Sequence, residues 1–306
     1  MAVNWMYVRM LDARGMLRPG LRILDIGSSN LYSAPADGVR EFLAKYNPAF
    51  PDAARLAERL AEGSYVDPVT GARNGAFVGE LFEAAGMEYL SFDIAKGYKT
   101  EVLDFNQQSL PDRHRGAWDL ILNFGTTEHV LHQYNSFKII HEAARVGGTM
   151  WHQLPSLGFV DHCYFTYKPR FFFELAGYNE YELVDFWYGA GGQSRLMDVV
   201  KDYASYFPVL GRYADDPGSS PQPVENLVLT NVCANALYRK VKDRPFMGTI
   251  ERSTSVGEVP DDVMAAYHGP AGSPAGPGLV ARLAKSLRRR LRPIRPLLKA
   301  VRPAPR

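Results

Sequence analysis

Apolar residues are arranged along this chain in two patterns that take turns: short unbroken runs, and sets spaced three and four apart. The runs predict buried strands and the spaced sets predict amphipathic helices. A helix is expected over residues 3–16, where Val3, Met6, Tyr7, Met10 and Leu11 share a face before Gly15. Residues 21–26 (LRILDI) form the first strand, closed by Gly27-Ser28-Ser29-Asn30, as a buried parallel strand entering a tight ligand loop should be. Helical spacing returns over 39–62, interrupted at Pro48 and Pro51, and again over 75–85, ended by Gly86. Further strands are predicted at 88–93, 100–104, 118–123, 149–154, 181–188 and 227–238. A helix over 135–145 is stopped by Gly147-Gly148, and another opens at Pro169 and stops at Gly177. This alternation predicts an α/β fold, a doubly wound and mostly parallel seven-stranded sheet with helical insertions.

The same pattern divides the chain. Residues 1–252 read as one catalytic unit, with insertions at about 32–75 and 189–224. The first insertion is either a cap over the ligand opening or an extra packing layer. The second, with Gly189, Gly191, Gly192 and a Pro/Ser/Gly stretch, reads as a lid. Residues 253–278 are rich in Ser, Gly and Pro and are expected to be a linker without a core. In the tail, 279–306, Leu279, Leu283, Leu287 and Leu291 recur every four residues with Arg282, Lys285, Arg288, Arg289 and Arg290 between them, the pattern of a basic amphipathic helix.

Charge sharpens this division. The whole chain carries +2, but the tail holds ten Lys/Arg and no acid, which leaves the first 278 residues at −8. An acidic body argues against nucleic acid as a partner of the core, while the tail suits an anionic membrane surface or an acidic partner. A 46% hydrophobic and 22% charged composition is ordinary for a globular protein, and no apolar run reaches the roughly 18 residues of a membrane span. The first residues lack a signal-peptide pattern, so the cytoplasm is expected, with membrane association through the tail. The two cysteines, Cys163 and Cys233, are far apart and predict neither a disulfide framework nor a zinc knuckle.

The order of short motifs narrows the function. LDIGSSN, then FDI, LDF and WDLILNFGTTEHV, resemble the successive motifs of class I S-adenosylmethionine-dependent methyltransferases, in particular the broad group with Glu-His after the fourth strand. The resemblance covers about residues 20–188 and implies S-adenosyl-L-methionine as cofactor. By it, Asp25, Gly27, Ser28, Ser29 and Asn30 belong to the loop around the amino acid part of the cofactor, Asp93 and Ile94 to the ribose, Asp104 and Phe105 to the adenine, and Asn123 and Phe124 to the surroundings of the sulfonium. Ser29 and Leu31 stand where this family has its second and third glycines, which implies a reshaped loop. A dinucleotide-dependent oxidoreductase would want G-x-G-x-x-G after the first strand, which GSSNLY does not supply.

Methyl transfer needs alignment above all, and a base only when the acceptor must lose a proton. His129, His132 and His152 follow the fourth and fifth strands and are the candidate catalytic bases, with Glu128 in an organising role. A metal site could be drawn from His129, His132 and His162, but no short acidic cluster accompanies them and no metal is expected. Tyr32, Trp151, Phe159, Tyr164, Phe165, Tyr167, Trp187 and Tyr188 follow strand ends, and about a third of them are expected to line a pocket. The acceptor is expected to be a small molecule, a saccharide or a lipid-linked glycan. The alternative is a cofactor-free scaffold or binding protein on the same fold.

Overall fold

Strands buried on both faces must be apolar throughout, and the central runs of this chain are. In the computed structural model, which describes residues 2–64, 75–160, 162–195, 228–251 and 261–267, these runs alternate their side chains between two hydrophobic layers. Ile23, Leu120, Leu122, Phe124 and Trp151 point to one layer, and Leu24, Ile26, Ile121, Met150 and Leu154 to the other.

The main sheet has seven strands: β2 (Arg22–Ile26), β4 (Glu88–Asp93), β5 (Thr100–Val102), β6 (Trp118–Phe124), β7 (Ala144–Leu157), β8 (Glu182–Arg195) and β9 (Val228–Arg239). Their order is β5-β4-β2-β6-β7-β9-β8. All run parallel except β9, which is antiparallel to both β7 and β8. From β2 the chain moves outward through β4 and β5, then returns to the other side of β2 with β6. The reversal leaves a crevice at the carboxyl ends of β2 and β6, where doubly wound sheets bind ligands. This is the expected fold class, a doubly wound and mostly parallel seven-stranded sheet with helices on both faces.

One face is covered by α1 (Trp5–Ala13), α2 (Ala36–Tyr46), α3 (Ala53–Gly63) and α4 (Val78–Ala84), which bury Val8, Leu11, Leu43, Leu60, Leu81 and Phe82. Of the first insertion, α2 and α3 pack against the sheet: Trp5 of α1 meets Phe42 of α2 edge-on, with ring centroids 6.1 Å apart. The other face carries α5 (Gln133–Ala143) and α6 (Pro169–Tyr178), which bury Phe137, Ile140, Phe172 and Leu175.

Four features depart from the sequence expectation. Strand β1 (Ala2–Asn4) precedes α1 and pairs in parallel with β3 (Asn30–Tyr32), so the glycine loop leads into a strand. Strand β7 begins at Ala144, and a Cβ on Gly148 would lie 2.8 Å from the Trp118 carbonyl oxygen, so this glycine permits close strand packing where a helix stop was expected. Residues 189–195, expected in an insertion, continue β8 and pair with β9 as far as Arg195 against Val228. The remainder of that expected lid, 196–224, lies outside the described residues. Within the expected linker, α7 (Asp261–Ala265) is helical, and Tyr267 packs against Tyr178 with centroids 6.1 Å apart. The basic tail, 279–306, lies outside the described residues. Among those described, no helix is long and apolar enough to cross a membrane.

Candidate active site

The loop after β2 is organised by a buried carboxylate. Asp25 is inaccessible to solvent, and its carboxylate accepts hydrogen bonds from the Ser29 N–H at 2.9 Å, the Ser29 hydroxyl at 3.0 Å and the Tyr89 hydroxyl at 2.8 Å. Burial pushes its pKa up to about 7, against the pull of these donors, which favour the ionised form. Gly27 turns the chain with φ of +96°, a left-handed geometry natural to glycine, and its N–H donates to the Phe92 carbonyl at 2.6 Å. Ser29 and Leu31 are wholly buried, Ser29 turned to Asp25 and Leu31 into the core. Their side chains face the interior, which explains why the loop tolerates them.

The ends of neighbouring strands meet this loop. Asp93, the last residue of β4, accepts the Ser28 N–H on one oxygen and the Ala95 N–H on the other, both at 2.9 Å. The Ser28 hydroxyl accepts the Tyr98 N–H at 3.0 Å. After β5, Asp104 accepts the Asn106 N–H at 2.8 Å and so shapes its own turn. The Thr126 hydroxyl donates to the Ile26 carbonyl oxygen and ties β2 to the loop after β6 across the crevice.

One cleft of about 750 Å³ opens over these strand ends. Asp93, Ile94, Asp104 and Phe105 line it from the ends of β4 and β5, Phe124, Gly125, Thr126, Glu128 and His129 from the end of β6, and Gln153, Phe159, His162 and Cys233 from β7, the loop after it and β9. Of the aromatic set, Tyr32 and Phe159 reach it, whereas Trp151 and Tyr167 are core residues.

Several expected site residues do not line the cleft. Asp25, Gly27, Ser28, Ser29 and Asn30 are absent from its lining, and Ser28 meets it through its N–H on Asp93. Asn123 is buried, its amide donating to Thr127 Oγ1 and to His152 Nδ1, both at 3.0 Å. His152 is thus a core histidine, packed on Phe137 and Tyr238, and burial pushes its pKa down to about 3. His152 is buried among these rings and does not line the cleft, so its assignment as a base is corrected. His132 is exposed outside the cleft, with its backbone N–H on Asn106 Oδ1 at 3.0 Å. Only His129 of the three candidate bases faces the cleft, joined by His162 with ring centroids 5.0 Å apart.

Glu128 lies beneath these two rings, 1% exposed, with its pKa raised to about 7 by burial. The cysteines are thiols here, since burial lifts Cys163 to about 11 and Cys233 to about 12. Gln153 and Thr126 were not singled out in the sequence. The first of these carries a positional signal, because Gln153 lies near the carboxyl end of a parallel strand, where ligands bind.

No protein-family model matches the chain, and no curated protein matches it in sequence. Among solved structures, it is similar to the 1,6-didemethyltoxoflavin-N1-methyltransferase of Burkholderia thailandensis with bound S-adenosylhomocysteine, at 11% identity and a TM-score of 0.38, covering 78% of each chain. It is similar to phosphoethanolamine N-methyltransferase 2 of Haemonchus contortus in complex with S-adenosyl-L-methionine, at 12% identity and a TM-score of 0.38, where 78% of this chain spans 53% of that one. It is also similar to the [4+2]-cyclase SpnF, at 9% identity and a TM-score of 0.37, with 77% of this chain and 80% of that one covered. Likeness of this degree concerns broad architecture alone, and the chemistry must be carried by the residues of this chain.

Proposed function

We propose that this protein binds S-adenosyl-L-methionine and transfers its methyl group to a small-molecule acceptor. The observation that carries this reading is the sharing of one cleft by Asp93 and Asp104, carboxylates at the end of β4 and just beyond β5, with the end of β6 at the reversal of strand order. Each carboxylate oxygen has two lone-pair directions, so the bonds to Ser28, Ala95 and Asn106 leave acceptor capacity toward the cleft. Asp93 would take the ribose hydroxyls and Asp104 the adenine amino group, with Ile94 and Phe105 against the rings. The face of Phe124 and the loop at Gly125 would border the sulfonium, where an aromatic ring favours positive charge.

The cofactor supplies an already activated methyl group, so the protein's task is to align an acceptor with it and exclude competing nucleophiles. The volume of about 750 Å³ falls within the range of small-molecule pockets, roughly 300–1,000 Å³. The acceptor would then occupy the end bounded by Glu128, His129, Phe159 and His162.

Calorimetric titration with S-adenosylmethionine, S-adenosylhomocysteine and NAD in parallel tests this reading. Saturable binding of the first two and not the third supports it. Binding of none favours a scaffold on this fold, and binding of NAD alone overturns it.

A further inference from the structure

The acceptor end of the cleft is built from two loops that are locked together. Glu128 and His129 lie in a 3-10 turn after β6, and His162 in the loop after β7. The Glu128 carbonyl accepts the N–H groups of Tyr164 at 3.1 Å and Phe165 at 3.2 Å, which fixes the second loop over the first. At its base, the Phe159 N–H donates to Asn231 Oδ1 at 2.7 Å, and a Cβ on Gly158 would lie 2.4 Å from that same oxygen. The loop is therefore held at both ends.

This clamp brings one nitrogen of each histidine and one carboxylate oxygen of Glu128 within 4.8 Å of one another. Glu128 Oε2 is buried and has no hydrogen-bond partner among the described residues. Such an oxygen is costly to bury unless something positive meets it, and metal coordination is one of the few ways to do so.

We propose that Glu128, His129 and His162 hold one divalent transition-metal ion of the zinc type. Two imidazoles and one carboxylate suit a borderline ion, whereas magnesium and calcium prefer all-oxygen shells. Zinc bonds of about 2.0–2.2 Å at tetrahedral angles place ligand atoms about 3.4 Å apart, so the three side chains need only small rotations to close on it. Three protein ligands leave a position open on the cleft side, the arrangement of a catalytic rather than a structural zinc.

This site defines an acceptor class, and in that respect it rests on the methyl-transfer reading: a small alcohol or phenol whose oxygen takes the open position. Coordination acidifies the hydroxyl, and its proton leaves to solvent. The carbon–oxygen bond then forms as the carbon–sulfur bond breaks, leaving a methyl ether and a neutral thioether.

The test uses the full chain, stripped with a chelator and titrated with Co2+ followed by visible absorption, with Zn2+ as competitor and S-adenosylhomocysteine binding measured by calorimetry in parallel. One saturating equivalent of Co2+, displaced by one of Zn2+, is expected. His162→Ala and Glu128→Gln should weaken it at least tenfold, and His132→Ala, outside the cleft, should not. His129→Ala, at an exposed side chain, gives the same reading if Glu128→Gln unfolds the chain. Absence of saturable binding, or equal affinity in wild type and all ligand variants, overturns the site. Nucleoside binding without metal binding removes the metal site and leaves methyl transfer standing; metal binding without nucleoside binding does the reverse.

Discussion

Gly97 faces Ser28 with no room for a side chain: a Cβ on it would lie 2.1 Å from the Ser28 Oγ and 2.5 Å from the Ser28 Cβ. Ser28 is also the residue whose N–H holds Asp93. Gly97→Ala is therefore expected to push the glycine loop off the end of β4, costing about 1–3 kcal/mol of stability, as overpacking does. Affinity for S-adenosylhomocysteine should fall several-fold with it. Urea unfolding and calorimetry check the two effects separately, and unchanged affinity would mean that the loop does not position Asp93.

Asp93 has two duties, one toward the loop and one toward the cleft. Asp93→Ala removes both and is expected to weaken S-adenosylhomocysteine binding at least tenfold, equivalent to about 1.4 kcal/mol. Asp93→Asn keeps one acceptor oxygen and should lose less. Equal affinity in all three proteins would remove Asp93 from the binding site.

Tyr89→Phe takes one of three donors from the buried Asp25. The expected loss is about 1–3 kcal/mol of stability, because the carboxylate has no route to water in exchange. Cofactor affinity should drop less than in Asp93→Ala, since Asp25 acts on the cleft only through the loop. Equilibrium denaturation measures the first quantity and calorimetry the second.

His141 sets a pH dependence. Its Nε2 meets the Arg244 carbonyl at 2.7 Å and its Nδ1 the Tyr181 hydroxyl at 2.7 Å, a pairing suited to the neutral ring. Burial, followed by the charge of Lys240, lowers its pKa to about 4, against about 6.5 in an unfolded chain. As pH falls from about 6.5 to about 4, the unfolded state takes up a proton that the native state refuses, so this group's contribution to stability declines. Asp25, raised to about 7, acts in the opposite sense over the same window, so the comparison must be differential. His141→Asn should cost stability at pH 7.5, and that cost should shrink as the pH is lowered to 5. A constant difference would show that His141 does not titrate differently on folding.

The sheet was legible in the sequence because strands covered on both faces leave unbroken apolar runs, as in LRILDI and WDLILN. Asp93 and Asp104 were placed at strand ends in the sequence, and both line the cleft. Strands β1 and β3 were not, because three residues are too few to establish a period of two. Nor could spacing separate His152 from His129. The first stands opposite Asn123 inside the paired region of β7, and the second lies beyond the end of β6, a difference set by strand register. The approach of His162 to Glu128 depends on the anchor at Asn231, which lies 69 residues further along the chain.

The β8–β9 hairpin has a consequence for how such a protein can change. Its two arms end as partners, Arg195 opposite Val228, on the side of the sheet where Cys233 borders the cleft. Whatever joins them leaves and re-enters the sheet at a single doorway. Chain added there disturbs no other crossover, and each doubling of a flexible loop's length costs only about 0.6 kcal/mol in closure entropy. The end of the hairpin is thus a place where chain can be added on the side of the sheet that holds the cleft, while the strand ends next to Gly27, Asp93 and Glu128 stay as they are.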